Sequence, residues 1–247
     1  MKVKFLLVVL ICVGLSAFKS SEERKIHLYL VGDSTMANKS EKRYPETGWG
    51  MVFQEFFKDR VVVENHALNG RSSKSFIGEG HWAKVLNKLQ PGDYVFIQFG
   101  HNDQKERKPD RYTNPVTTYR ANLERYVRET REKGAHPILL SSVVRRNFND
   151  EGTLIDTHGL YPLITRIVSE SVDVPFIDLQ LMTEVKVVEM GTEKSQELYM
   201  CLKPGEYPNY PDGNKDNTHF NNFGARVVAK MVVDELKKKN ILITELK

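Results

Sequence analysis

Four polar clusters along the chain contain the residue types that serve in acyl-transfer chemistry. They are Gly32-Asp33-Ser34-Thr35, Asn69-Gly70-Arg71-Ser72, Gly100-His101-Asn102-Asp103 and Asp216-Asn217-Thr218-His219. A serine hydroxyl is a weak nucleophile until a neighbouring base removes its proton, and a histidine imidazole suits that task near neutral pH. The combination of serine, histidine, aspartate and asparagine predicts nucleophilic catalysis at a carbonyl carbon.

Each of these side chains has a distinct predicted role. Ser34 is the candidate nucleophile, and His219 is the candidate base that accepts the hydroxyl proton. Asp216 precedes His219 by three residues, one turn if the backbone there is helical, so its carboxylate can hold the imidazole in the required tautomer. The attack creates an oxyanion, for which the candidate donors are the backbone N–H groups of Ser34 and Gly70 and the side-chain amide of Asn102.

Each cluster taken alone also has a purely structural interpretation. Gly-Asp-Ser-Thr suits a tight turn, Asp-x-x-His suits a helix cap, and a glycine such as Gly70 suits a backbone position with positive φ. The catalytic interpretation is favoured because all four clusters occur in one chain, in an order that a single site requires. It also requires that the fold bring the clusters together.

The pattern of apolar residues indicates how the fold does so. It predicts strands over residues 25–31, 61–65, 94–98, 136–141 and 175–178, and helices over 48–57, 81–89, 114–133 and 222–239. Alternating strands and helices with short connections indicate a parallel sheet covered by helices on both faces. Ligands bind beyond the carboxyl ends of the strands in such sheets. Three of the four clusters follow predicted strands, so we expect them to meet at that edge.

The composition suits a compact enzyme-sized domain. The chain has 247 residues, 40% of them hydrophobic, and no Pro/Ser/Gly-rich linker, which predicts a single domain over residues 21–247. The formal net charge is +4, and basic residues are interleaved with acidic ones, so we expect no nucleic-acid partner. The oligomeric state stays open.

The first 20 residues resemble a secretory signal peptide. Lys2 and Lys4 precede an apolar run over residues 5–13, and small residues follow. The run is shorter than the roughly 20 residues of a membrane span, although an uncleaved anchor is the alternative interpretation. We expect a secreted or periplasmic protein with no membrane contact beyond this segment. Since Cys12 lies in the segment, Cys201 has no partner for a disulfide and is expected to be a packed thiol.

Several other chemistries lack their motifs. No G-x-S-x-G surrounds Ser34, and the chain has no Walker, G-x-G-x-x-G or H-E-x-x-H motif. The pairs His101 with Asp103 and Asp156 with His158 have a two-residue spacing that is not diagnostic of a metal site. We therefore expect neither a metal nor a cofactor.

The quoted clusters resemble the SGNH (GDSL-like) hydrolases, which are named for a Ser, Gly, Asn and His. The matching residues here are Ser34, Gly70, Asn102 and His219, with Asp216 completing the triad, and the similar blocks span residues 27–225. The resemblance implies a three-layer α/β/α sandwich with a central parallel sheet, the flavodoxin-like fold, and no cofactor.

Within that superfamily the chain is similar to the rhamnogalacturonan acetylesterases. The similar stretches are GDSTM (32–36), NGRSSKSF (69–76), FGHND (99–103), SSVVRRNF (141–148), DTHGLY (156–161) and DNTHFNNFGA (216–225). This resemblance implies a serine esterase that removes acetyl groups from galacturonate residues of pectin, with an acetylated pectic polysaccharide or oligosaccharide as its partner.

Galacturonate carries a carboxylate, which an arginine can bind through two parallel hydrogen bonds. Arg71 and Arg145 are therefore candidate substrate contacts, with Lys74 and Arg146 as further cations near the site. His158, in the DTHGLY stretch, and Asp33, beside Ser34, are the other candidate substrate contacts. Solvated surface arginines are the alternative interpretation. The segment over residues 193–215, rich in Pro, Tyr and Gly, is a candidate loop over the active site.

Two other functions fit the same residues. A lipid esterase or thioesterase would keep the triad and require a broad apolar groove for its acyl chain. A non-catalytic glycan-binding module would keep the fold, but it has no need for all of Ser34, Gly70, Asn102, Asp216 and His219.

Overall fold

A computed structural model of the protein describes residues 24–247, so the predicted signal peptide over residues 1–20 lies outside the described residues. The strands are β1 (Ile26–Gly32), β2 (Val61–Asn65), β3 (Tyr94–Gln98), β4 (His136–Leu140), β5 (Phe176–Ile177), β6 (Tyr199–Leu202) and β7 (Asn214–Phe220). The first five form one parallel sheet in the order β2-β1-β3-β4-β5, and β6 pairs with β7 in an antiparallel hairpin.

Seven α-helices accompany these strands in the described part of the chain. They are α1 (Trp49–Val52), α2 (Ser73–Gly78), α3 (His81–Leu86), α4 (Arg120–Glu132), α5 (Tyr161–Ser171), α6 (Leu179–Lys194) and α7 (Asn222–Lys238). A π-helical turn over Pro115–Tyr119 leads into α4, and short 3₁₀ turns cover Glu41–Arg43, Phe53–Phe56, Ser195–Leu198 and Ile243–Glu245.

The central strand β1 shows why helices cover both faces of the sheet. Successive side chains of a strand point to opposite faces, and the β1 side chains from Leu28 to Val31 are hydrophobic and buried on both faces. Leu28 and Leu30 join the hydrophobic cluster that includes α1, α6 and α7. Tyr29 and Val31 join the cluster that includes α3, α4 and α5. The result is a three-layer α/β/α sandwich, which confirms the predicted fold class.

The observed elements differ from the predicted ones in several places. The helix predicted over residues 48–57 is a single α-helical turn, α1, followed by a 3₁₀ turn. Helices α2, α5 and α6 and strands β6 and β7 were not predicted. The apolar residues of α6 do not form one buried stripe, since Leu181, Val185 and Val188 are exposed while Leu179 and Val187 are buried. Among residues 24–247 no helix has the length and apolarity needed to cross a membrane.

Candidate active site

The fold brings Ser34, His219 and Asp216 into one hydrogen-bonded chain. Ser34 lies in the turn that follows β1, and the other two lie on β7. The Ser34 Oγ is 2.8 Å from His219 Nε2, and His219 Nδ1 is 2.7 Å from Asp216 Oδ2. This is the arrangement in which an imidazole can remove the serine proton while a carboxylate orients it.

Asp216 reaches His219 from a strand and not from a helix, so the conditional expectation of a helical turn is wrong. The Asp216 Oδ1 accepts hydrogen bonds from the backbone N–H groups of Thr218 at 2.8 Å and His219 at 3.0 Å. These bonds fold the carboxylate back toward the imidazole. Burial alone would raise the pKa of Asp216, but the hydrogen bonds from His219 and the two N–H groups outweigh burial and lower that pKa to about 2. Asp216 is therefore ionised at neutral pH.

A buried chain of side chains supports the turn that presents Ser34. The indole N–H of Trp49 donates to Gln98 Oε1 at 2.8 Å, and the Gln98 amide donates to the Thr35 hydroxyl at 2.7 Å. Both the hydroxyl and the backbone N–H of Thr35 donate to Asp33 Oδ1 at 2.9 Å. Asp33 is fully buried, so the expectation that it contacts substrate is wrong, because its side chain braces the turn from below.

Three candidate donors for an oxyanion lie along the same cleft as the Ser34 hydroxyl. The backbone N–H groups of Ser34 and Gly70 donate to no group among residues 24–247, so both are available to a ligand. Gly70 has φ of +75°, a conformation that favours glycine. The third is Asn102, whose Nδ2 donates one hydrogen bond to the Arg71 carbonyl at 3.0 Å and retains a second hydrogen.

Asp103 ties the loop that carries Asn102 to the N-terminus of α2, which follows Gly70. Its carboxylate accepts from the Ser73 N–H at 3.0 Å, from the Ser73 hydroxyl at 2.5 Å and from the Thr113 hydroxyl at 2.9 Å. Burial raises the pKa of Asp103 to about 7, although these hydrogen bonds oppose the rise. The relative position of the Gly70 and Asn102 donors is therefore fixed from inside the protein.

The triad opens into a cleft of about 510 Å³. Its lining residues are Ser34, Lys39, Ser40, Arg43, Glu46, Asn69, Gly70, Asn102, Lys105 and His219. Four of these, over residues 39–46, come from the connection after β1, and sequence reasoning missed them together with Asn69 and Lys105. In the sequence, the residues of that connection are marked only by charges soon after the GDSTM stretch, whereas Asn69 begins the NGRSSKSF stretch and Lys105 lies just after FGHND.

An ion-pair network forms one wall of this cleft. The side chains of Lys39 and Glu46 are 2% and 3% exposed, and Lys39 Nζ lies 2.9 Å from Glu46 Oε1. Arg43 binds the other oxygen of Glu46 at 2.6 Å, and Lys39 also donates to Asn69 Oδ1 at 2.7 Å. Burial lowers the pKa of Lys39; burial also opposes ionisation of Glu46, but Lys39 and Arg43 outweigh it and the pKa of Glu46 is lowered.

The predicted cations outside this wall are engaged within the protein and do not line the cleft. Each donates to a protein acceptor: Arg71 to Glu79, Lys74 to the Pro109 carbonyl, Arg145 to Thr157, and Arg146 to Asn217. Arg71 Nε lies 2.6 Å from the Glu79 carboxylate, and Arg145 also donates to the His101 carbonyl at 3.3 Å. The expectation that Arg71 and Arg145 contact substrate is not supported by these positions, because both guanidinium groups hold loops together.

His158 lies in the core and not in the cleft. Its side chain lies 2.9 Å from the Val143 carbonyl through Nε2 and 3.0 Å from Gln104 Oε1 through Nδ1, and the residue is 1% exposed. Its ring packs edge-on against that of His101, which is also buried. Burial, with a smaller contribution from Arg145, lowers the pKa of His158 to about 4. Because the His158 side chain is buried, the expectation that it contacts substrate is wrong, as it is for the buried Asp33.

The segment over residues 193–215 braces the cleft wall from behind. It contains the end of α6, a 3₁₀ turn, β6 and the connection into β7. Asn209 donates to the carbonyls of Glu41 and Tyr44, and the Tyr210 hydroxyl donates to the Arg43 carbonyl at 3.2 Å. The cleft-lining residues include none from this segment, so it supports the wall and does not cover the triad.

Cys201 lies on β6 behind the triad. Its half-buried thiol is 3.3 Å from Asn217 Oδ1 and 3.7 Å from the Asp216 carbonyl, and burial raises its pKa. A thiol with a raised pKa is a poor nucleophile at neutral pH. Within residues 24–247 no group of three or more His, Cys, Asp or Glu side chains is arranged to hold a metal ion.

Comparison with known proteins places this geometry in a family. Residues 30–227 match the GDSL-like Lipase/Acylhydrolase family. The chain is 41% identical over 216 residues to the rhamnogalacturonan acetylesterase RhgT of Bacillus subtilis, covering 87% of this chain and 91% of that protein.

Two crystal structures share the fold. One is protein YxiM of Bacillus subtilis, with a TM-score of 0.75 and 25% identity; the match covers 88% of this chain and 57% of that one. The other is the acetylxylan esterase Axe2 of Geobacillus stearothermophilus, with a TM-score of 0.59 and 18% identity, covering 86% of this chain and 94% of that one. The chain belongs to the GDSL-like lipase/acylhydrolase family of esterases, as its four polar clusters predicted.

Proposed function

We propose that this protein is a secreted carbohydrate esterase that removes acetyl groups from pectic rhamnogalacturonan through an acyl-enzyme on Ser34. The observation that carries the proposal is the hydrogen-bonded chain from Ser34 through His219 to Asp216, at 2.8 and 2.7 Å, in an open cleft. A relative with 41% identity is named a rhamnogalacturonan acetylesterase, which supports acetyl as the acyl group and pectin as the substrate.

The first half of the reaction transfers the acetyl group to the enzyme. His219 Nε2 accepts the hydroxyl proton as the Ser34 Oγ bonds to the acetyl carbonyl carbon, and the carbonyl electron pair moves onto oxygen. The N–H groups of Ser34 and Gly70 and the free amide hydrogen of Asn102 donate to that oxyanion. When the oxyanion collapses, the bond to the sugar oxygen breaks, and that oxygen takes the proton from His219.

The second half releases acetate. A water molecule gives a proton to His219 Nε2 as its oxygen bonds to the acetyl carbon on Ser34. Collapse of the second oxyanion breaks the bond to Ser34 Oγ, which recovers its proton from His219. Asp216 stays ionised throughout, and its 2.7 Å contact with Nδ1 stabilises the imidazolium that forms twice in each cycle.

The charge of the cleft supports an anionic sugar. Among the lining residues, Lys39, Arg43 and Lys105 are cations, and Glu46 is the carboxylate. The surplus of positive charge attracts the carboxylate of galacturonate, and a lipid acyl chain would instead need a broad apolar surface. The cationic lining therefore favours acetylated galacturonate over the lipid ester of the alternative interpretation.

A second depression next to the cleft supports a substrate with several sugar units. It measures about 420 Å³ and shares Lys39, Ser40 and Glu46 with the catalytic cleft. Its lining includes Tyr44, which is 54% exposed and whose ring packs edge-on against that of Tyr207 at 5.9 Å between centroids. An exposed ring held by a second ring offers a flat surface on which a neighbouring sugar can rest.

A substrate panel tests the proposal. Acetate release is measured from acetylated rhamnogalacturonan, from acetylated xylan, which lacks the repeated galacturonate carboxylate, and from aryl esters of acetate and of a long-chain acid. We expect release from rhamnogalacturonan to be the fastest among the polysaccharides and the acetate ester to exceed the long-chain ester. A preference for the long-chain ester would favour a lipid esterase instead.

Secretion needs a separate test. The intact gene is expressed, and protein recovered from the periplasm or the medium is sequenced from its N-terminus. We expect that N-terminus to lie near residue 20; a protein retained in membranes with residue 1 intact would indicate an uncleaved anchor.

A further inference from the structure

The side-chain amide of Asn102 is held at both of its polar atoms. Its Nδ2 donates to the Arg71 carbonyl at 3.0 Å, and its Oδ1 accepts from the ammonium group of Lys105 at 2.8 Å. If the amide were rotated by half a turn, Oδ1 would face the Arg71 carbonyl and Nδ2 would face the ammonium. Both contacts would then be repulsive, so the two partners together determine which way the amide points.

This anchoring leaves one amide hydrogen for a ligand. Of the two hydrogens on Nδ2, the Arg71 carbonyl accepts one, and the other is available in the cleft that also holds the Ser34 hydroxyl. A positive charge on Oδ1 draws electron density from the amide and strengthens the remaining N–H as a donor, because hydrogen bonds in a chain polarise one another.

Lys105 differs from the other two cations of the cleft. Lys39 and Arg43 both bind the Glu46 carboxylate, whereas the hydrogen bond of Lys105 is to a neutral amide. Its charge is therefore not neutralised by that partner and lies one amide group away from the oxyanion position. Partial desolvation of the ammonium and the neighbouring charges of Arg111 and Arg145 lower the pKa of Lys105.

We propose that Lys105 is a positioning residue of the oxyanion hole, which orients and polarises Asn102 so that its free N–H stabilises the acetyl oxyanion. The inference rests on the proposed serine esterase function. It assigns to Lys105 a role in the chemical step, in addition to its share in the positive charge that attracts the sugar carboxylate into the cleft.

The test compares Lys105→Met with Lys108→Met, a matched control that removes an exposed lysine from the same loop. The substrate is an aryl acetate, which carries no carboxylate. We expect kcat of Lys105→Met to fall by about tenfold to a hundredfold with KM unchanged, the factor that corresponds to one charge-assisted hydrogen bond. Lys108→Met should match the wild type, and Lys105→Arg should recover part of the loss. Lys105→Gln replaces Lys105→Met if the latter does not fold.

A double-mutant cycle shows whether Lys105 acts through Asn102. In the Asn102→Ala background, the Lys105→Met substitution should have little further effect on kcat, because the group it positions is gone. An undiminished effect in that background would overturn the inference. So would a loss confined to acetylated rhamnogalacturonan, which would make Lys105 a carboxylate-binding residue. A wild-type enzyme without activity on aryl acetate would instead contradict the proposed function itself.

Discussion

Replacing Asp216 by asparagine tests how the triad is oriented. The Asp216 carboxylate uses Oδ1 for the backbone N–H groups of Thr218 and His219 and Oδ2 for the His219 imidazole. An asparagine has only one oxygen. Two backbone donors require an acceptor, so the oxygen stays with them, and the amide nitrogen takes the position 2.7 Å from His219 Nδ1. That nitrogen donates, so Nδ1 must accept.

The consequence reaches Ser34 through the imidazole. A neutral imidazole that accepts at Nδ1 carries its proton on Nε2, the atom 2.8 Å from the Ser34 Oγ. It can then no longer accept the serine proton. A wrong tautomer of this kind costs about 10⁴-fold in kcat, which corresponds to about 5.5 kcal/mol of activation free energy.

Stability should respond much less than activity. The two backbone hydrogen bonds to Oδ1 survive in Asp216→Asn, and the altered contact with His219 is partly exposed, so the free energy of unfolding should fall by about 1 kcal/mol or less. Asp216→Ala also removes the two backbone hydrogen bonds, so it should lower both kcat and the free energy of unfolding. The assays are aryl acetate hydrolysis and urea denaturation. If Asp216→Asn kept more than a tenth of the wild-type kcat, the account of the tautomer would be refuted.

Three further substitutions examine the other parts of the site and its support. Gly70→Ala places a methyl group at a φ of +75°, 3.2 Å from the Arg111 guanidinium, so we expect about 1–2 kcal/mol less stability and a lower kcat. Gly78→Ala, with open space around the added atom, is the control. Equal changes of stability and kcat in the two variants would contradict the role given to Gly70. Tyr44→Ala should raise KM several-fold for acetylated rhamnogalacturonan and leave aryl acetate hydrolysis unchanged; an unchanged KM would remove Tyr44 from the substrate path. The pKa of His158 is 6.5 in the unfolded chain and about 4 in the folded protein. As the pH falls from 6.5 to 4, the unfolded chain therefore takes up a proton that the folded protein does not. The wild type loses stability over that pH range. His158→Gln lacks this loss, so its stability relative to the wild type should improve by about 3 kcal/mol from pH 7 to pH 4 in urea titrations, whereas parallel pH profiles would disprove the shift.

The triad and the oxyanion donors could be predicted because strand ends position them. Ser34, Gly70 and Asn102 follow β1, β2 and β3, whose apolar residues are recognisable in the sequence, and parallel strands direct their carboxyl ends to one edge. His219 precedes the strongly periodic helix α7. Local patterns therefore contained the information needed to bring these groups together.

The walls of the cleft could not be predicted in this way. Lys39, Arg43 and Glu46 lie in a connection without periodicity, and their positions depend on one another and on contacts with the distant residues 209 and 210. The error over Arg71 has the same origin. Its charge was visible in the sequence, but its partner Glu79 depends on how the chain turns into α2. Charge type alone does not show which cations face a ligand.

Covalent labelling shows whether Ser34 is the activated nucleophile. The protein is treated with an organophosphonate that traps activated serines, and the adduct is located by peptide mass spectrometry. We predict a single adduct on Ser34, lost in Ser34→Ala and strongly slowed in His219→Ala, with Ser40 in the same cleft unlabelled. An adduct on Ser40, or no adduct on folded protein, would contradict the proposed mechanism.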